Sequence, residues 1–296
     1  MTTSPKSQID PPAREGRDVY TTLNYTMPSG CEGLKPIDSD MPEAERRNAQ
    51  REGLTDVREV VIKDIRGKED EFTLNVQGFQ FVKHQVDAVT DLKDQSQIKE
   101  ILQPATEDLV KKMTGASEVI VYLTRLRFEI NQNGNKMSTP NSPSHGVHSD
   151  ITHASCRPVL KDILTEDGMA RLMSCPFVVV NVWRPIKPIQ RDPLAVCDWR
   201  SVDPASDIFP DRRVIAGQVF EFGVPIFNEK HEWYYLSDQQ PDEPLIFKQL
   251  SSDVASSVTL LHSAFVDPKH VDDPPRESIE MKCFAFFTEQ TNQVLG

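Results

Sequence analysis

The sequence predicts a mainly β fold, a sandwich-like barrel flanked by helices, and three observations lead there. From Glu118 onward the chain breaks into short runs rich in Val, Ile, Phe, Tyr and Trp, separated by turns containing Pro, Gly, Asn and Asp. Only the stretch from Gln85 to Met113 carries apolar residues at sustained helical spacing. No internal repeat and no second stretch with a core of its own is visible, so residues 19–296 read as one domain with a helical N-terminal part.

Taken in order, Met1 to Asp18 is polar, contains proline and lacks an apolar period, which is the pattern of a flexible leader. A segment punctuated by Pro and Gly, from Val19 to about Met41, leads into Pro42 to Arg51, a polar helix candidate that ends near Gly53. Val57–Ile65 and Glu71–Val76 look like strands paired across Gly67-Lys68. In Gln85–Met113 the apolar residues include Val86, Val89, Leu92, Ile98, Leu102, Leu109 and Val110, with a break expected at Pro104, so two helices outside a sheet are predicted. Val119–Ile130 is the first strand of the β-rich part, and a polar loop from Asn131 to Ser144 delivers a strand holding His148 and Asp150. Further strands are expected at Phe177–Arg184, Asp198–Val202, Gln218–Phe222, His231–Tyr235, Pro244–Lys248, Ser257–Leu261 and Arg276–Phe287.

Composition narrows the function classes. The 296 residues carry 45 acidic side chains against 33 Lys and Arg, a net charge of −12, which opposes phosphate binding by clustered cations and so a nucleic-acid role. No apolar run approaches the roughly 20 residues of a membrane span, and Met1 to Gly16 has no signal-peptide core, so a soluble cytoplasmic protein is expected. The five cysteines, at 31, 156, 175, 197 and 283, are scattered and unpaired in spacing; buried free thiols are expected rather than disulfides or a zinc knuckle.

The chemistry concentrates in Gly146-Val147-His148-Ser149-Asp150-Ile151 and, far downstream, Leu260-Leu261-His262-Ser263. On a strand, residues i and i+2 share a face, so the His148 imidazole and the Asp150 carboxylate can bind one ion together. Two His and one carboxylate occupy one face of ferrous iron and leave positions open for a co-substrate and dioxygen. His148, Asp150 and His262 are therefore the candidate metal ligands and catalytic centre. His145 and His153 lack strand parity with the pair, so they are expected at the mouth of the site or against substrate. An iron site that uses 2-oxoglutarate also needs a cation to hold the distal carboxylate, and the planar fork of Arg does this at two points. Arg276, opening a strand soon after His262, is the first candidate, with a surface ion pair to Asp273 or Glu277 as its structural alternative. Arg184, beside the buried Trp183, is the second, with Asp198 as an alternative partner. Asn181, Trp183 and Tyr234 are candidate substrate contacts or ordinary core, and Lys248 reads as a solvated strand-end charge.

From Thr21-Thr22-Leu23-Asn24-Tyr25, through Asn181-Val182-Trp183-Arg184-Pro185-Ile186 and Pro193-Leu194-Ala195-Val196-Cys197-Asp198, to Tyr234–Lys248 and Pro275-Arg276-Glu277-Ser278-Ile279-Glu280, the chain resembles the hydroxylase/desaturase family of fungal secondary metabolism. The resemblance covers nearly all of the chain after about residue 18 and implies a double-stranded β-helix, of the jelly-roll or cupin-like kind. It further implies Fe(II) and 2-oxoglutarate as cofactor and co-substrate in the hydroxylation or desaturation of a small secondary metabolite. Partners expected are that small molecule and dioxygen, with a homodimer as the assembly and neither nucleic acid nor membrane. Two alternatives remain: an iron oxidase that uses oxygen without 2-oxoglutarate, and a non-catalytic accessory protein on the same scaffold.

Overall fold

Two five-stranded sheets carry the fold in the computed structural model, which describes residues 16–30, 37–38, 53–128, 141–215, 217–254, 257 and 259–288. The first sheet runs β1 (Val19–Thr26), β3 (Thr55–Asp64), β10 (Trp233–Tyr235), β7 (Leu194–Cys197) and β12 (His262–Ala264). The second runs β4 (Phe79–Phe81), β11 (Leu245–Ser251), β6 (Phe177–Pro185), β13 (Ser278–Phe286) and β5 (Glu118–Arg127). A smaller sheet joins β2 (Ile37–Asp38), β8 (Ile208–Ile215) and β9 (Gln218–Pro225). The inner faces of the two large sheets meet in an apolar layer where Trp183, Leu245 and Phe247 of one pack with Leu194, Val196 and Tyr234 of the other. This near-closed pair of sheets is the jelly-roll expected from the sequence.

β6 and β13 are buried along their whole length, so their sequences read as nearly continuous apolar runs. Val178, Val180, Val182, Ile279, Met281, Cys283 and Ala285 point outward and are covered by Leu102, Leu109 and Val110 of a helical stretch. Each such aliphatic side chain taken from water contributes about 1.5–3 kcal/mol. The covering element is α1 (Gln103–Thr114), preceded by a helical turn at Gln95–Gln97 and a wide π turn at Ile98–Leu102. Pro104 therefore does not separate two helices as expected. It sits in the first turn of α1, where its missing N–H matters least, and the π turn absorbs the irregularity. Gly115, at φ 77°, ends α1 in the left-handed conformation and returns its N–H to the Lys111 carbonyl.

Several other expectations change. Glu71 closes a short 3-10 turn (Glu69–Glu71) and the residues after it up to Val76 are irregular, while β3 instead pairs with β1 and, in parallel, with β10. β1 itself lies within the segment from Val19 to about Met41, to which the sequence assigns no element, only punctuation by Pro and Gly. Asp198–Val202 is a 3-10 turn, because the Asp198 carboxylate caps the Arg200 N–H at 3.0 Å and also binds its guanidinium. Leu260 and Leu261 precede a strand rather than forming one, and β12 begins at His262. α2 (His153–Ile163) and α3 (Glu166–Leu172) were not expected. At the N-terminus Arg17 is docked, with its side chain on Asp267 and its carbonyl accepting the Tyr235 hydroxyl at 2.7 Å. The helix candidate at 42–51, the leader up to residue 15 and most of the 131–144 loop lie outside the described residues. No helix among the described residues is long and apolar enough to cross a membrane.

Candidate metal centre

Residues 148 and 149 are extended and held from both sides. His148 forms an antiparallel bridge with His262, the first residue of β12, through N–H to carbonyl bonds of 3.2 and 3.0 Å in the two directions. Ser149 bridges Gly223 of β9, and a Cβ at Gly223 would collide with the Ser149 hydroxyl. Directly opposed residues share a face, so the His148 and His262 imidazoles stand side by side, ring centroids 4.3 Å apart. Asp150, two residues on, completes the cluster. One ligand atom from each of His148, Asp150 and His262 lies within 4.8 Å of the others.

The environment sets the ligand atoms. His148 Nδ1 donates to the Gly146 carbonyl at 2.8 Å, which leaves Nε2 as a lone pair facing Asp150 Oδ1 at 3.5 Å. His262 Nε2 faces Asp150 Oδ2 at 3.4 Å, while its Nδ1 is buried without a partner. Burial, then the neighbouring His262, lowers the pKa of His148 and favours the neutral imidazole that a metal needs. Burial works against ionisation of Asp150, yet Lys282, then His262 and His148, hold its carboxyl well below the usual range. Lys282 Nζ lies 2.5 Å from Asp150 Oδ1, and Asn181 Nδ2 donates to Oδ2 at 2.5 Å. The Asp150 N–H donates to Gln249 Oε1 at 2.8 Å, which fixes the carboxylate's backbone.

Arg276 is 4 % exposed and stacks on Trp183, its guanidinium carbon 5.3 Å from the ring centroid. Nη1 donates to the Asp192 carbonyl at 2.7 Å, and Nε is buried without a partner. Burial, then the nearby Arg127, pushes its pKa down to about 9. No carboxylate among the described residues lies within ion-pair distance of it. A buried guanidinium with spare donors is a receptor for an anion.

The family model described as "Oxidoreductase/YMDC permease-like domain" matches residues 23–286. The hydroxylase/desaturase efuI of Hormonema carpetanum is 32% identical over 299 residues, spanning 93% of this chain and 97% of its own. The alpha-ketoglutarate-dependent dioxygenase phiK of a fungal species is 29% identical, spanning 91% and 96%. Among solved structures, the iron and alpha-ketoglutarate-dependent endoperoxidase NvfI superposes in a Trp-to-Phe variant with a TM-score of 0.76, at 27% identity and over 91% of this chain and 97% of that one. The chain belongs to this family of Fe(II)/2-oxoglutarate-dependent hydroxylases and desaturases.

The residues of this hydroxylase/desaturase fit the group's requirements. Two imidazole nitrogens and a carboxylate are the donor set that ferrous iron takes on one face. Unpartnered donors on Arg276 fit the distal carboxylate of 2-oxoglutarate.

The remaining candidates divide. Asn181 joins the centre, donating to both Asp150 Oδ2 and Glu280 Oε1, the latter at 2.9 Å. Trp183 lies on the same inner face of β6 and carries Arg276. Arg184 does not join. It has the opposite parity, on the outer face with Val182, and its donors are taken by the His84 and Pro241 carbonyls at 2.8 and 3.0 Å and by His84 Nδ1 at 2.7 Å. His153 heads α2 and donates through Nε2 to the Ser251 carbonyl at 2.7 Å. Tyr234 packs on Phe72, centroids 4.9 Å apart, and donates to Glu232 at 2.7 Å, so it fills core. His145 faces Asp192 Oδ1 at 3.3 Å, and Lys248 reaches Asn75 Oδ1 at 3.1 Å. Sequence reasoning missed Lys282, Glu280, Gln249 and Arg127. The alternation of β13 was the signal available for the first two, since it places 278, 280 and 282 on one face.

Proposed function

We propose that His148, Asp150 and His262 hold Fe(II) in this enzyme and that Arg276 grips the distal carboxylate of 2-oxoglutarate, for oxidation of a C–H bond in a small secondary metabolite by hydroxylation or desaturation. The observation that carries it is the meeting of three ligand atoms within 4.8 Å in a barrel that also buries an unpaired guanidinium. When bound, the iron and its keto-acid co-substrate supply an oxidant able to remove hydrogen from an unactivated carbon, with succinate and carbon dioxide as by-products. Gly146 orients His148 through its carbonyl, and Lys282 with Asn181 orient both oxygens of Asp150. Trp183 supports the plane of Arg276 so that its fork meets a carboxylate edge-on. Phe247, with its ring 5.0 Å from His262, and the inner apolar layer exclude water from the reacting carbon. A cytoplasmic location is proposed because the reaction needs reduced iron and 2-oxoglutarate.

The test is anaerobic visible absorption as the metal-free protein is titrated with Fe(II) and then 2-oxoglutarate. A charge-transfer band is expected for the unmodified protein and not for His262→Ala. Normal iron uptake with no band would sink the assignment of Arg276 and favour an oxidase that uses oxygen alone.

A further inference from the structure

The inner face of the second sheet carries more positive charge than the metal and co-substrate consume. Cross-strand register places Leu123 opposite Lys282, Arg125 opposite Glu280 and Arg127 opposite Ser278, all on the face that holds Asn181 and Trp183. Four cations, Arg125, Arg127, Arg276 and Lys282, therefore share this surface with two carboxylates, Asp150 and Glu280. Asp192, at the rim, is already engaged by His145 and Arg191. Ferrous iron and dianionic 2-oxoglutarate cancel one another, so the surplus persists in the loaded enzyme.

The surplus is concentrated on β5. Arg127 spends one donor on the Ser142 carbonyl at 2.5 Å, and Arg125 has no hydrogen-bond or ion-pair partner among the described residues. Arg125 and Arg127 are two apart on one face of β5; burial lowers the pKa of Arg127, Glu280 opposes that, and the neighbouring Arg125 lowers it further. Glu280, which lies across from Arg125, is shared with Asn181 and balances one of the two charges, so the pair retains a surplus that an added anion would neutralise. β5 is an edge strand among the described residues, and a cleft of about 480 Å³ opens along it, lined by Leu123, Arg125, Phe128 and Asn141 among others.

We propose that Arg125 and Arg127 form the substrate-recognition site, and that the substrate is an anionic metabolite whose carboxylate they grip while its carbon skeleton reaches past Leu123 toward the metal ligands. The assignment rests on the iron and 2-oxoglutarate sites given above. Lys282, which touches Asp150 at 2.5 Å, lies across from Leu123, two residues before Arg125 on the same face, so an acid held there lies within a small molecule's length of the centre.

The experiment is calorimetric titration, without oxygen, of the enzyme loaded with Fe(II) and 2-oxoglutarate, using 1-naphthoate and the neutral, nearly isosteric 1-naphthamide as probes. The acid is expected to bind at least tenfold more tightly than the amide, with the preference falling as salt is raised. In Arg125→Gln and Arg127→Gln the preference should collapse to within about twofold while the charge-transfer band of the loaded centre persists. Equal affinity for the two probes, or no binding of naphthoate, overturns the proposal. So does naphthoate binding that erases the band, which would mean displacement of 2-oxoglutarate, or loss of the band in Arg127→Gln. Should Arg127→Gln fail to fold, Arg125→Gln and the salt dependence of the unmodified enzyme decide the matter. Failure of the underlying metal assignment would be seen separately, as absence of the band before any probe is added.

Discussion

Replacing Arg276 by Met distinguishes a cation kept for stability from one kept for a ligand, because the two roles move stability in opposite directions. Its pKa falls from 12.5 to about 9, mainly through burial. At about 1.4 kcal/mol per pH unit, this amounts to roughly 5 kcal/mol that folding must supply to keep the charge in place. The sign follows from linkage: the charged form is disfavoured in the folded state, so the penalty is present at all pH values below 9 and fades only as pH rises above it. Met removes that penalty. It also forfeits the 2.7 Å bond to the Asp192 carbonyl and the contact with Trp183, each about 1–2 kcal/mol. The co-substrate-free variant should therefore be more stable by about 1–3 kcal/mol, a rise in melting temperature of about 2–4 °C per kcal/mol for a chain of this size. Loss of two charge-assisted hydrogen bonds, about 1.5–3 kcal/mol each, should weaken 2-oxoglutarate binding by about 10²- to 10⁴-fold. Thermal melts with Mn(II) in place of iron read both effects without turnover. The unmodified protein at a hundred times its Kd should gain about 2.7 kcal/mol from 2-oxoglutarate, and the variant nothing. A variant that melts lower than the parent and still responds to 2-oxoglutarate would refute the assignment.

Asp150→Ala should abolish stabilisation by added metal and also cost about 3–5 kcal/mol without metal, because it strands the Lys282 ammonium; Asp150→Ala with Lys282→Met should recover most of the metal-free loss, which chemical denaturation measures. Arg184→Met should leave the 2-oxoglutarate titration unchanged and shift stability by no more than about 1 kcal/mol, since relief of a burial penalty of roughly 3 kcal/mol, from a pKa lowered to about 10, offsets the donors lost by the His84 and Pro241 carbonyls. Glu243 is held down to about 2: burial raises it, but the hydrogen bonds from Arg66 at 2.7 and 2.9 Å more than offset that. Its pKa is lowered on folding, so it contributes up to roughly 3 kcal/mol above pH 4.5 that is lost as pH falls toward 2. Glu243→Gln should therefore be less stable at pH 7 and show a shallower acid decline in melts taken between pH 6 and 3.

The fold was legible wherever the apolar pattern had one cause. β6 and β13 pack on both faces, so their runs of Val, Ile, Phe and Met could be seen without any partner. β1 was not legible because it pairs with β3 and presents alternating polar residues to solvent, and its Thr-rich run reads as coil. Asp198–Val202 misled for a local reason: Trp and Val favour strands, but one capping carboxylate at Asp198 outweighs their propensity. Pro104 misled in the reverse way, since proline breaks a helix interior and suits a first turn, and only the turn preceding it decides which applies.

The candidate site was legible to the extent that its chemistry is carried by neighbours in sequence. His148 and Asp150 are two apart, and strand parity alone brings them to one face. What holds them cannot be read that way. Lys282 reaches Asp150 only because β13 lies beside β6, and Arg184 loses its candidacy to Arg276 through a parity that depends on which face of β6 is inside. Sequence shows that 181, 183 and 185 alternate with 182 and 184. It does not show which set faces the barrel, because both are apolar enough to be buried. The deciding feature is the helical cover over Val178, Val180 and Val182, which turns Arg184 outward with them and leaves Asn181 and Trp183 to meet Asp150 and Arg276 within. A metal centre in such a barrel is therefore written locally in its ligands and globally in its charges, and the cations on β5 and β13, which no spacing rule would group, follow from the second of these.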